Sequence, residues 1–377
     1  MPTSRHFEPD WVHMPAEQRP LRIAMTSYYL PSGSKIGVGY QVHALANGLV
    51  DRGHDVTIFS GCPASSGARY RTVQLPAPRR WRTFAFARSI ARLDLSSFDV
   101  LHAHGDDYWL WRRRVPIHVR TVHGSCFEEA LRIPGLREKL RMLALGFSEV
   151  LASLVADRTA VVSPQTRRWL PWVTTVIPNG VDDSVFRPDP ELRADVPTIL
   201  FVGTYGNRKR GRLLMEVFAQ EVRPALPDAR LVMVCSDAPD APGVIRTGRI
   251  DDAELARWYA RAWVFSLPSS YEGFGIPYAE ALMSGLPVVA TPNPGARYVL
   301  DGCTAASLVP EGQLGAALLE RLRDPDPSTT ALASVAHAMQ FRLSEVLDQY
   351  ETLYRSTVVP PVRTVLRGAR ADHPTHS

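Results

Sequence analysis

The sequence has little lysine and lacks any long uninterrupted apolar run. Of 43 basic residues, three are lysines and the rest are arginines, and the formal net charge is +5. So small an excess of positive charge excludes a polycationic nucleic-acid-binding coat, although it allows local basic pockets for anionic small molecules. No stretch of 18 apolar residues without charge occurs, so no transmembrane helix is predicted.

Cysteine is equally scarce, and its spacing carries no recognisable metal or disulfide pattern. None of the four forms a C-x-x-C pair or neighbours a histidine cluster, which argues against a disulfide framework or a zinc site. A reducing cytoplasm fits this cysteine usage. The first twenty residues are polar and proline-rich without an apolar segment, so a flexible leader and not a secretory signal is expected. The cysteines are Cys62, Cys126, Cys235 and Cys303.

Length and composition predict a folded protein of about two domains. Hydrophobic residues make up 45% of the 377 residues, which is enough for a large buried core. Short β-branched runs alternate with segments of helical periodicity, which is the pattern of a parallel sheet covered by helices on both faces. Strands are predicted at 21–28, 55–59, 99–104, 119–123 and 159–162, and again at 198–205, 229–236, 262–269 and 286–291.

A turn-rich segment divides this pattern into two blocks. Residues 176–197 are rich in proline, aspartate and glycine, and the alternation restarts after them. We therefore predict two Rossmann-like, doubly wound α/β domains facing a cleft, the first over 21–182 and the second over 183–335. Apolar periodicity predicts a last helix over 336–357, and the tail over 358–377 is expected to be flexible.

The strongest chemical indication comes from SSYEGFGIPYAEALMSG, which begins at Ser269. A predicted strand ends there, a Gly-x-Gly turn follows, and Pro277 falls in the first turn of a helix. Backbone amides at such a helix N-terminus suit a phosphate group. Glu272 precedes the turn and Glu280 follows it, where an ionised carboxylate can accept hydrogen bonds from both hydroxyls of a diol such as ribose. A purely structural role for both glutamates is the alternative.

Basic residues and a second glycine-rich loop are further candidates for phosphate binding. Arg208, Lys209 and Arg210 follow a predicted strand, at the edge where open α/β sheets bind ligands; a solvated basic loop is the alternative. In the first block, PSGSKIGVGY places Gly37 between a strand and a helix, without the GK[ST] ending of a nucleotide-hydrolysing P-loop. Because lysine is so rare, Lys35 and Lys209 are interpreted as positions that need a compact ammonium group.

Three histidines end predicted strands and could contact a polar ligand. The imidazoles of His102, His104 and His123 can donate hydrogen bonds or exchange a proton near neutral pH. A metal site is disfavoured because, apart from the carboxylates at 106–107, no third ligand for a metal ion is evident nearby. A satisfied structural role is the alternative for each histidine.

One basic segment has aromatic and aliphatic residues at helical intervals. The stretch 79–93, RRWRTFAFARSIARL, could lie on an anionic membrane surface or bind an anionic acceptor. A helix with a solvated basic face is the favoured interpretation.

With these segments in view, the chain resembles the family 4 glycosyltransferases, which are retaining enzymes of the GT-B fold. The resemblance spans about 21–355 and is carried by GVGYQVHALANGLVDRGHDVTIFS, FDVLHAHG, VRTVHG, VVSPQTRRWL, VIPNGVD, ILFVGTYGNRKRG and above all EGFGIPYAEALMSGLPVVAT. The last segment contains the E-x7-E signature in its usual context. The resemblance therefore favours ligand-binding roles for Glu272 and Glu280.

The resemblance implies that the second domain holds a nucleotide-sugar donor. Glu280 would bind the ribose diol, and Glu272 would lie near the hydroxyls of the donor sugar. Backbone amides of Phe274, Gly275 and Ile276 would contact the diphosphate and the sugar.

It also implies how the remaining residues divide their roles. Arg208 and Lys209 would neutralise the phosphates, although family members often have a longer gap between these two basic residues. The first domain would supply Gly37, most acceptor contacts and His123, a positioning group beside the anomeric carbon. The last helix would cross back to the first domain. The family commonly has Pro-Glu where this chain has Ala-Arg at 296–297, so that glutamate has no counterpart here.

The implied activity is transfer of a sugar from a UDP- or GDP-sugar with retention at the anomeric carbon, the leaving phosphate taking the acceptor proton. No metal or other cofactor is expected, since protein groups would stabilise the departing diphosphate. The acceptor would be a small-molecule natural product or a cell-envelope glycan or lipid, and nucleic acid is not expected as a partner. A cytoplasmic location is expected, with peripheral contact at the inner membrane face left open. The alternatives are a sugar-nucleotide epimerase or phosphorylase on the same scaffold, and a non-catalytic binding protein.

Overall fold

A computed structural model describes residues 19–33, 37–76, 82–110, 117–131, 133, 135–324 and 326–356. Residues 1–18 of the predicted leader, Lys35, residues 79–81 of the basic stretch and the predicted tail lie outside the described residues. The described chain divides into two compact units. One contains the residues up to 122, 129–160 and those from 348 onwards, and the other contains 123–128 and 161–347.

In the described part of the chain, seven strands form the first sheet: β1 (Arg22–Ser27), β2 (Asp55–Ser60), β3 (Arg71–Gln74), β4 (Val100–Ala103), β5 (Ile117–Val122), β6 (Arg158–Val161) and β7 (Thr175–Val176). Their order is β3-β2-β1-β4-β5-β6-β7, and the pairs from β3 to β5 are parallel. The helices between them are α1 (Gly37–Asp51), α2 (Arg82–Ile90), α3 (Cys126–Ala130) and α4 (Leu136–Val155).

The central strands of this sheet are buried on both faces, which explains their continuous apolar sequences. In β1, all residues after Arg22 are buried, and β2 has the same pattern after Asp55. Helix α1 packs closely against the loop after β1, because Gly39 has no side chain. A Cβ at Gly39 would lie 3.1 Å from the Cα of Leu30.

The second sheet has six strands within the continuously described range 135–324: β8 (Thr198–Val202), β9 (Arg230–Val234), β10 (Val244–Arg246), β11 (Val264–Leu267), β12 (Val288–Ala290) and β13 (Ala306–Leu308). Their order is β10-β9-β8-β11-β12-β13, and every pair is parallel. The helices are α5 (Gly211–Val217), α6 (Arg223–Ala225), α7 (Asp252–Arg261), α8 (Ile276–Met283), α9 (Pro294–Val299), α10 (Leu314–Leu322), α11 (Pro327–Ala338) and α12 (Leu343–Arg355).

The strand order of the second sheet reverses between β8 and β11, and this reversal positions the candidate site. Ligands of open α/β sheets bind at the carboxyl ends of the two strands where the order reverses. The loop after β8 carries Arg208 and Lys209, and the loop after β11 carries Glu272. Two basic side chains and a carboxylate are therefore brought to one sheet edge.

The predicted fold class of two parallel-sheet α/β domains is confirmed, and the last helix predicted over 336–357 is present as α12 but begins later than predicted. Helix α11 ends at Ala338 and α12 begins at Leu343. Between them the extended backbone of Arg342 forms a parallel bridge with Val181. The Val181 N–H donates to the carbonyl of Phe341 at 2.8 Å, and its carbonyl accepts from Leu343 at 2.8 Å. This pairing requires a helix break that apolar periodicity does not reveal.

Candidate active site

Glu272 is the centre of a buried ion cluster. Lys209 Nζ lies 2.8 Å from Oε1 of Glu272, and Arg208 Nη1 lies 3.0 Å from Oε2. The Ser269 hydroxyl donates to Oε1 at 2.6 Å. The Glu272 side chain is 7% exposed, whereas that of Arg208 is 53% exposed. One carboxylate between two cations leaves net positive charge at the carboxyl ends of β8 and β11, which suits an anionic ligand.

The same cluster shifts the proton affinities of its members. Burial disfavours the charged form of Glu272, but the positive charges of Lys209 and Arg208 outweigh burial and hold the pKa of the carboxyl below its usual range. Burial lowers the pKa of Lys209, and the charge of Arg208 adds to this effect against the attraction of Glu272. Glu272 is therefore ionised at neutral pH, and a further anion would stabilise the charged form of Lys209.

The third basic residue of the loop faces a different partner. Arg210 Nη2 lies 2.6 Å from Oε2 of Glu311, and its backbone is left-handed, with φ 58°, where α5 begins. The loop after β8 is tied to the loop after β11, because the carbonyl of Arg208 accepts from the N–H of Ser270 at 2.8 Å and from the hydroxyl of Ser269 at 2.9 Å. Of the three contiguous basic residues, Arg208 and Lys209 thus contact Glu272.

The turn before α8 presents backbone rather than side chains. Gly275 precedes the helix with φ 93°, and a Cβ there would lie 2.4 Å from the ring of Tyr278. Phe274 is 3% exposed, and its ring packs beside that of Phe341 in the hydrophobic core of the second unit. Only the backbone of Phe274 is thus available to a ligand. Ile276 is half-buried and begins α8.

Glu280 lies in α8 and is half-buried. Its Oε2 accepts a hydrogen bond from the hydroxyl of Tyr259 at 2.9 Å. Withdrawal from water raises the pKa of Glu280 to about 7, although the Tyr259 hydrogen bond works in the opposite direction. Neutral and ionised forms of this carboxyl are both populated near neutral pH.

His123 belongs to the second unit, with the segment 123–128, and not to the first domain that was expected to supply it. A Cβ at Gly273 would lie 2.7 Å from the carbonyl oxygen of His123. The hydroxyl of Ser163 donates to the carbonyl of Gly273 at 2.7 Å. The fold therefore brings His123 against the loop that carries Glu272, and the glycine between them permits this approach.

A cavity of about 230 Å³ opens beside this loop within the second unit. The indole N–H of Trp169 donates to Oε2 of Glu128 at 3.2 Å, and its ring stacks on that of Phe127 with centroids 5.2 Å apart. An aromatic face bordered by polar groups suits a ligand with both hydroxyls and an apolar ring face. The cavity is lined by Ser125, Glu128, Ser163, Gln165, Thr166, Arg168, Trp169, Tyr271, Glu272, Gly273 and Pro294.

Gly37, His102 and His104, which the sequence suggested as ligand contacts, belong to the first unit. Gly37 is exposed and is the first residue of α1. His102 is fully buried, and its ring nitrogens hydrogen-bond to the hydroxyls of Tyr354 at 2.7 Å and Thr121 at 2.8 Å. His104 is half-buried with its ring centroid 4.1 Å from that of His102. His102 thus has the satisfied structural role that was the alternative for it.

No three His, Cys, Asp or Glu side chains group as a metal site in the part of the chain that the structure describes. Nor is any of its described helices both long enough and apolar enough to cross a bilayer. Helix α2 contains most of the basic stretch. Its Phe86 and Ile90 are fully buried in a hydrophobic cluster of the first unit.

Three residues that support the site were not identified from the sequence. Ser269 and Tyr259 hold the two glutamates, as described above. Asn293 joins the loop after β11 to the loop after β12. Its amide donates to the carbonyls of Ser269 at 3.0 Å and Thr291 at 3.1 Å, and its Oδ1 accepts from the N–H of Ala296 at 3.0 Å. Asn-Pro before a short helix is a cap pattern that could have indicated Asn293.

Two family profiles match the chain: "Glycosyltransferase Family 4" over 36–185 and "Glycosyl transferases group 1" over 196–324. The D-inositol 3-phosphate glycosyltransferase of Thermobispora bispora is 29% identical over 332 residues, covering 75% of this chain and 76% of that relative. The phosphatidyl-myo-inositol mannosyltransferase of Mycolicibacterium smegmatis is 27% identical over 355 residues, covering 85% of this chain and 86% of that relative.

Solved structures show the same fold. Sucrose-phosphate synthase from Thermosynechococcus elongatus superposes with a TM-score of 0.74 at 22% identity, covering 92% of this chain and 100% of that chain. Anabaena HepE, solved in complex with UDP and glucose, gives a TM-score of 0.70 at 16% identity, covering 89% and 100%. The predicted GT-B fold is thereby confirmed. The profiles and relatives agree with the E-x7-E signature, and the chain belongs to glycosyltransferase family 4.

Proposed function

We propose that this glycosyltransferase moves a sugar from a UDP- or GDP-sugar to a hydroxyl acceptor with retention at the anomeric carbon. The observation that carries the proposal is the cluster in which Glu272 lies between Lys209 and Arg208, next to the turn that begins α8. The complex of HepE with UDP and glucose supports a nucleotide-sugar donor.

The donor would occupy the carboxyl ends of β8 and β11. Arg208 and Lys209 supply the positive charge that a diphosphate needs, so the phosphates are neutralised by side chains and not by a metal ion. Backbone amides of Gly275 and Ile276 at the start of α8 add to this field. Glu280, one helical turn further, accepts hydrogen bonds from the ribose hydroxyls when it is ionised.

The reaction would proceed on one face of the sugar. The bond between the anomeric carbon and the diphosphate oxygen breaks, the acceptor oxygen bonds to the same face, and its proton passes to the departing phosphate. Glu272 is ionised and beside the donor, where it orients sugar hydroxyls. His123 lies against the same loop as a positioning group. No side chain serves as a nucleophile, and cationic stabilisation of the leaving diphosphate is the main electrostatic contribution.

The cavity beside Gly273 would receive the acceptor. Trp169 offers an apolar face, while Glu128 and Gln165 offer hydrogen-bonding groups to hydroxyls. Arg168 lines the same cavity and suits a phosphate on the acceptor. A polyhydroxylated ring, free or lipid-linked, fits this lining, and the inositol-derived names of the two relatives support that class.

Thermal-shift measurements with UDP, GDP and their sugars test the donor site, because a ligand that binds the native state raises its melting temperature. The expected result is a shift for one nucleotide diphosphate that Lys209→Ala weakens, whereas Glu272→Ala should weaken the shift with the corresponding nucleotide-sugar, whose hydroxyls it contacts. Release of nucleotide diphosphate should then require an acceptor, and NMR of the product should show retention. An epimerase would convert the nucleotide-sugar without any acceptor. Absence of a shift with every nucleotide diphosphate would overturn the donor-site assignment.

A further inference from the structure

Helix α4 carries large apolar side chains on its outer surface. Leu136 is 74% exposed, Leu140 56%, Phe147 64%, Leu151 59% and Leu154 56%. A helix that only covers a sheet places its large apolar residues inward, and single exposed apolar side chains are ordinary, whereas five large ones on one helix are not. We call these five residues the α4 stripe.

The five positions form one line along the helix. At about 100° per residue they fall within a sector about 60° wide, and at about 1.5 Å per residue they extend over about 27 Å. The buried residues of α4 lie on the side turned away from the stripe, where Met142 and Ala152 flank the two acidic positions of the helix by helical geometry. The helix therefore buries apolar residues on one side and exposes large ones on the other.

Charges are arranged around the stripe by sign. Arg137 and Lys139 lie on its two flanks, each about 80° from its centre by helical geometry, with Arg141 further along the same side as Arg137. The two acidic residues of the helix, Glu138 and Glu149, fall on the opposite side, and Glu138 forms an ion pair with Arg141. An apolar line with basic flanks and no acidic neighbour complements the acyl and headgroup layers of an anionic bilayer.

Size distinguishes a bilayer from a second copy of the chain. A stable protein interface uses roughly 20–30 residues on each side, and one line of five side chains falls well short of that. A bilayer needs no matched surface and binds in proportion to the apolar area inserted plus the attraction of anionic lipids. Helix α2, which the sequence offered as a membrane-facing segment, buries Phe86 and Ile90 in the core and presents no such line among its described side chains.

We propose that α4 is a membrane-docking helix that lies in the interface of an anionic bilayer with the α4 stripe inserted. Docking is peripheral, because α4 does not qualify as a spanning helix. It places the first unit at a lipid surface independently of which donor or acceptor the site takes.

Sedimentation of the full-length protein with lipid vesicles tests this proposal. Wild type should sediment with vesicles of phosphatidylcholine and phosphatidylglycerol, bind more weakly to phosphatidylcholine alone, and be released as ionic strength rises. Leu140→Gln combined with Leu151→Gln should lower the vesicle partition coefficient about tenfold or more, because two inserted apolar side chains are lost. Arg137→Gln with Lys139→Gln should lose the preference for anionic vesicles.

The matched control is Leu332→Gln, since Leu332 is a leucine of α11 that is 73% exposed and lies outside the stripe. It should bind vesicles as wild type does. All variants should keep the wild-type circular dichroism and the nucleotide-induced thermal shift, so that failure of docking is distinguishable from failure of the donor site. Absence of wild-type binding to anionic vesicles, or equal binding by the Leu140/Leu151 variant, would overturn the proposal. A dimer that this variant abolishes in sedimentation velocity would identify self-association instead.

Discussion

Lys209 and Glu272 form an ion pair, 2.8 Å between Nζ and Oε1, that joins the loops after the two adjacent strands at which the strand order of the second sheet reverses. Lys209 comes from the loop after β8 and Glu272 from the loop after β11, so the pair fixes the two loops to each other. In the proposed function, a diphosphate would meet two cations that the Glu272 carboxylate already holds in place. Cations fixed in this way are electrostatically preorganised, which is the property that stabilises charge developing on a leaving group.

Replacing Lys209 with Met is expected to weaken nucleotide diphosphate binding about 10- to 100-fold, because a hydrogen bond to a charged group contributes about 1.5–3 kcal/mol. Arg210→Met is the matched control, since the Arg210 guanidinium contacts Glu311 and not Glu272. Isothermal titration calorimetry of both variants with UDP and GDP measures the difference. Equal losses in the two variants would contradict the assignment of the phosphate-binding cation.

The stability of the ligand-free protein should fall as pH rises, in part through Glu280. Its pKa is about 7 in the folded protein against 4.5 ordinarily, so between these values the folded state holds a proton that the unfolded chain has lost. The free energy of unfolding then decreases with rising pH across this window and stays lower above it. Glu280→Gln removes this contribution. The melting temperature of the variant minus that of the wild type should therefore increase from about pH 5 to about pH 8. Parallel calorimetric curves for the two proteins would disprove the raised pKa.

Gly273→Ala should remove most activity while leaving the fold intact. The added Cβ would lie 2.7 Å from the carbonyl of His123, so either the His123 segment or the Glu272 loop must shift. Misplacement of catalytic groups by about 1 Å costs on the order of 100-fold in rate. Gly312→Ala is the control, because a Cβ at Gly312 meets no atom within 4 Å. Steady-state rates and melting temperatures of both variants would be compared, and an active Gly273→Ala enzyme would show that the contact is unimportant.

Trp169→Ala should raise the KM for the acceptor about tenfold, since a stacked aromatic face contributes roughly 0.5–1.5 kcal/mol beyond its buried area. The KM for the donor should change less, because Trp169 lines the cavity but is not a hydrogen-bond or ion-pair partner of Glu272. Trp172, which is 46% exposed and does not line the cavity, provides the control variant Trp172→Ala. If Trp169→Ala raised the KM for the donor and left the KM for the acceptor unchanged, the cavity would be excluded as an acceptor site.

The sequence is sufficient to predict the two sheets, because strands buried on both faces have continuous apolar sequences. Strand β1 was predicted over 21–28 and is observed at Arg22–Ser27, and β8 begins at the predicted Thr198. Helix α4 was not predicted. Its apolar residues lie on both sides of the helix, so the one-sided pattern that identifies a surface helix is absent. The break before α12 depends on pairing with Val181, which is more than 150 positions away and leaves no local signal.

Some residues of the candidate site can likewise be predicted from the sequence and others cannot. Lys209 and Glu272 could be placed together from the sequence, because each follows a strand whose end lies at the same sheet edge. Tyr259 could not, since its hydroxyl reaches Glu280 from α7, and the rotation of that helix is set by packing. The role of Gly273 also depends on tertiary structure, because the carbonyl it accommodates belongs to a residue 150 positions earlier.

The rarity of lysine gives the site a chemical handle. Lys209 is one of three lysines, its side chain is 16% exposed, and burial lowers its pKa. An aldehyde-bearing nucleotide that occupies the donor site would therefore meet one of the few amines of the chain, and reduction would fix any imine that it forms with Lys209. Peptide mass mapping after reduction would then report occupancy of the site directly, without knowledge of the acceptor.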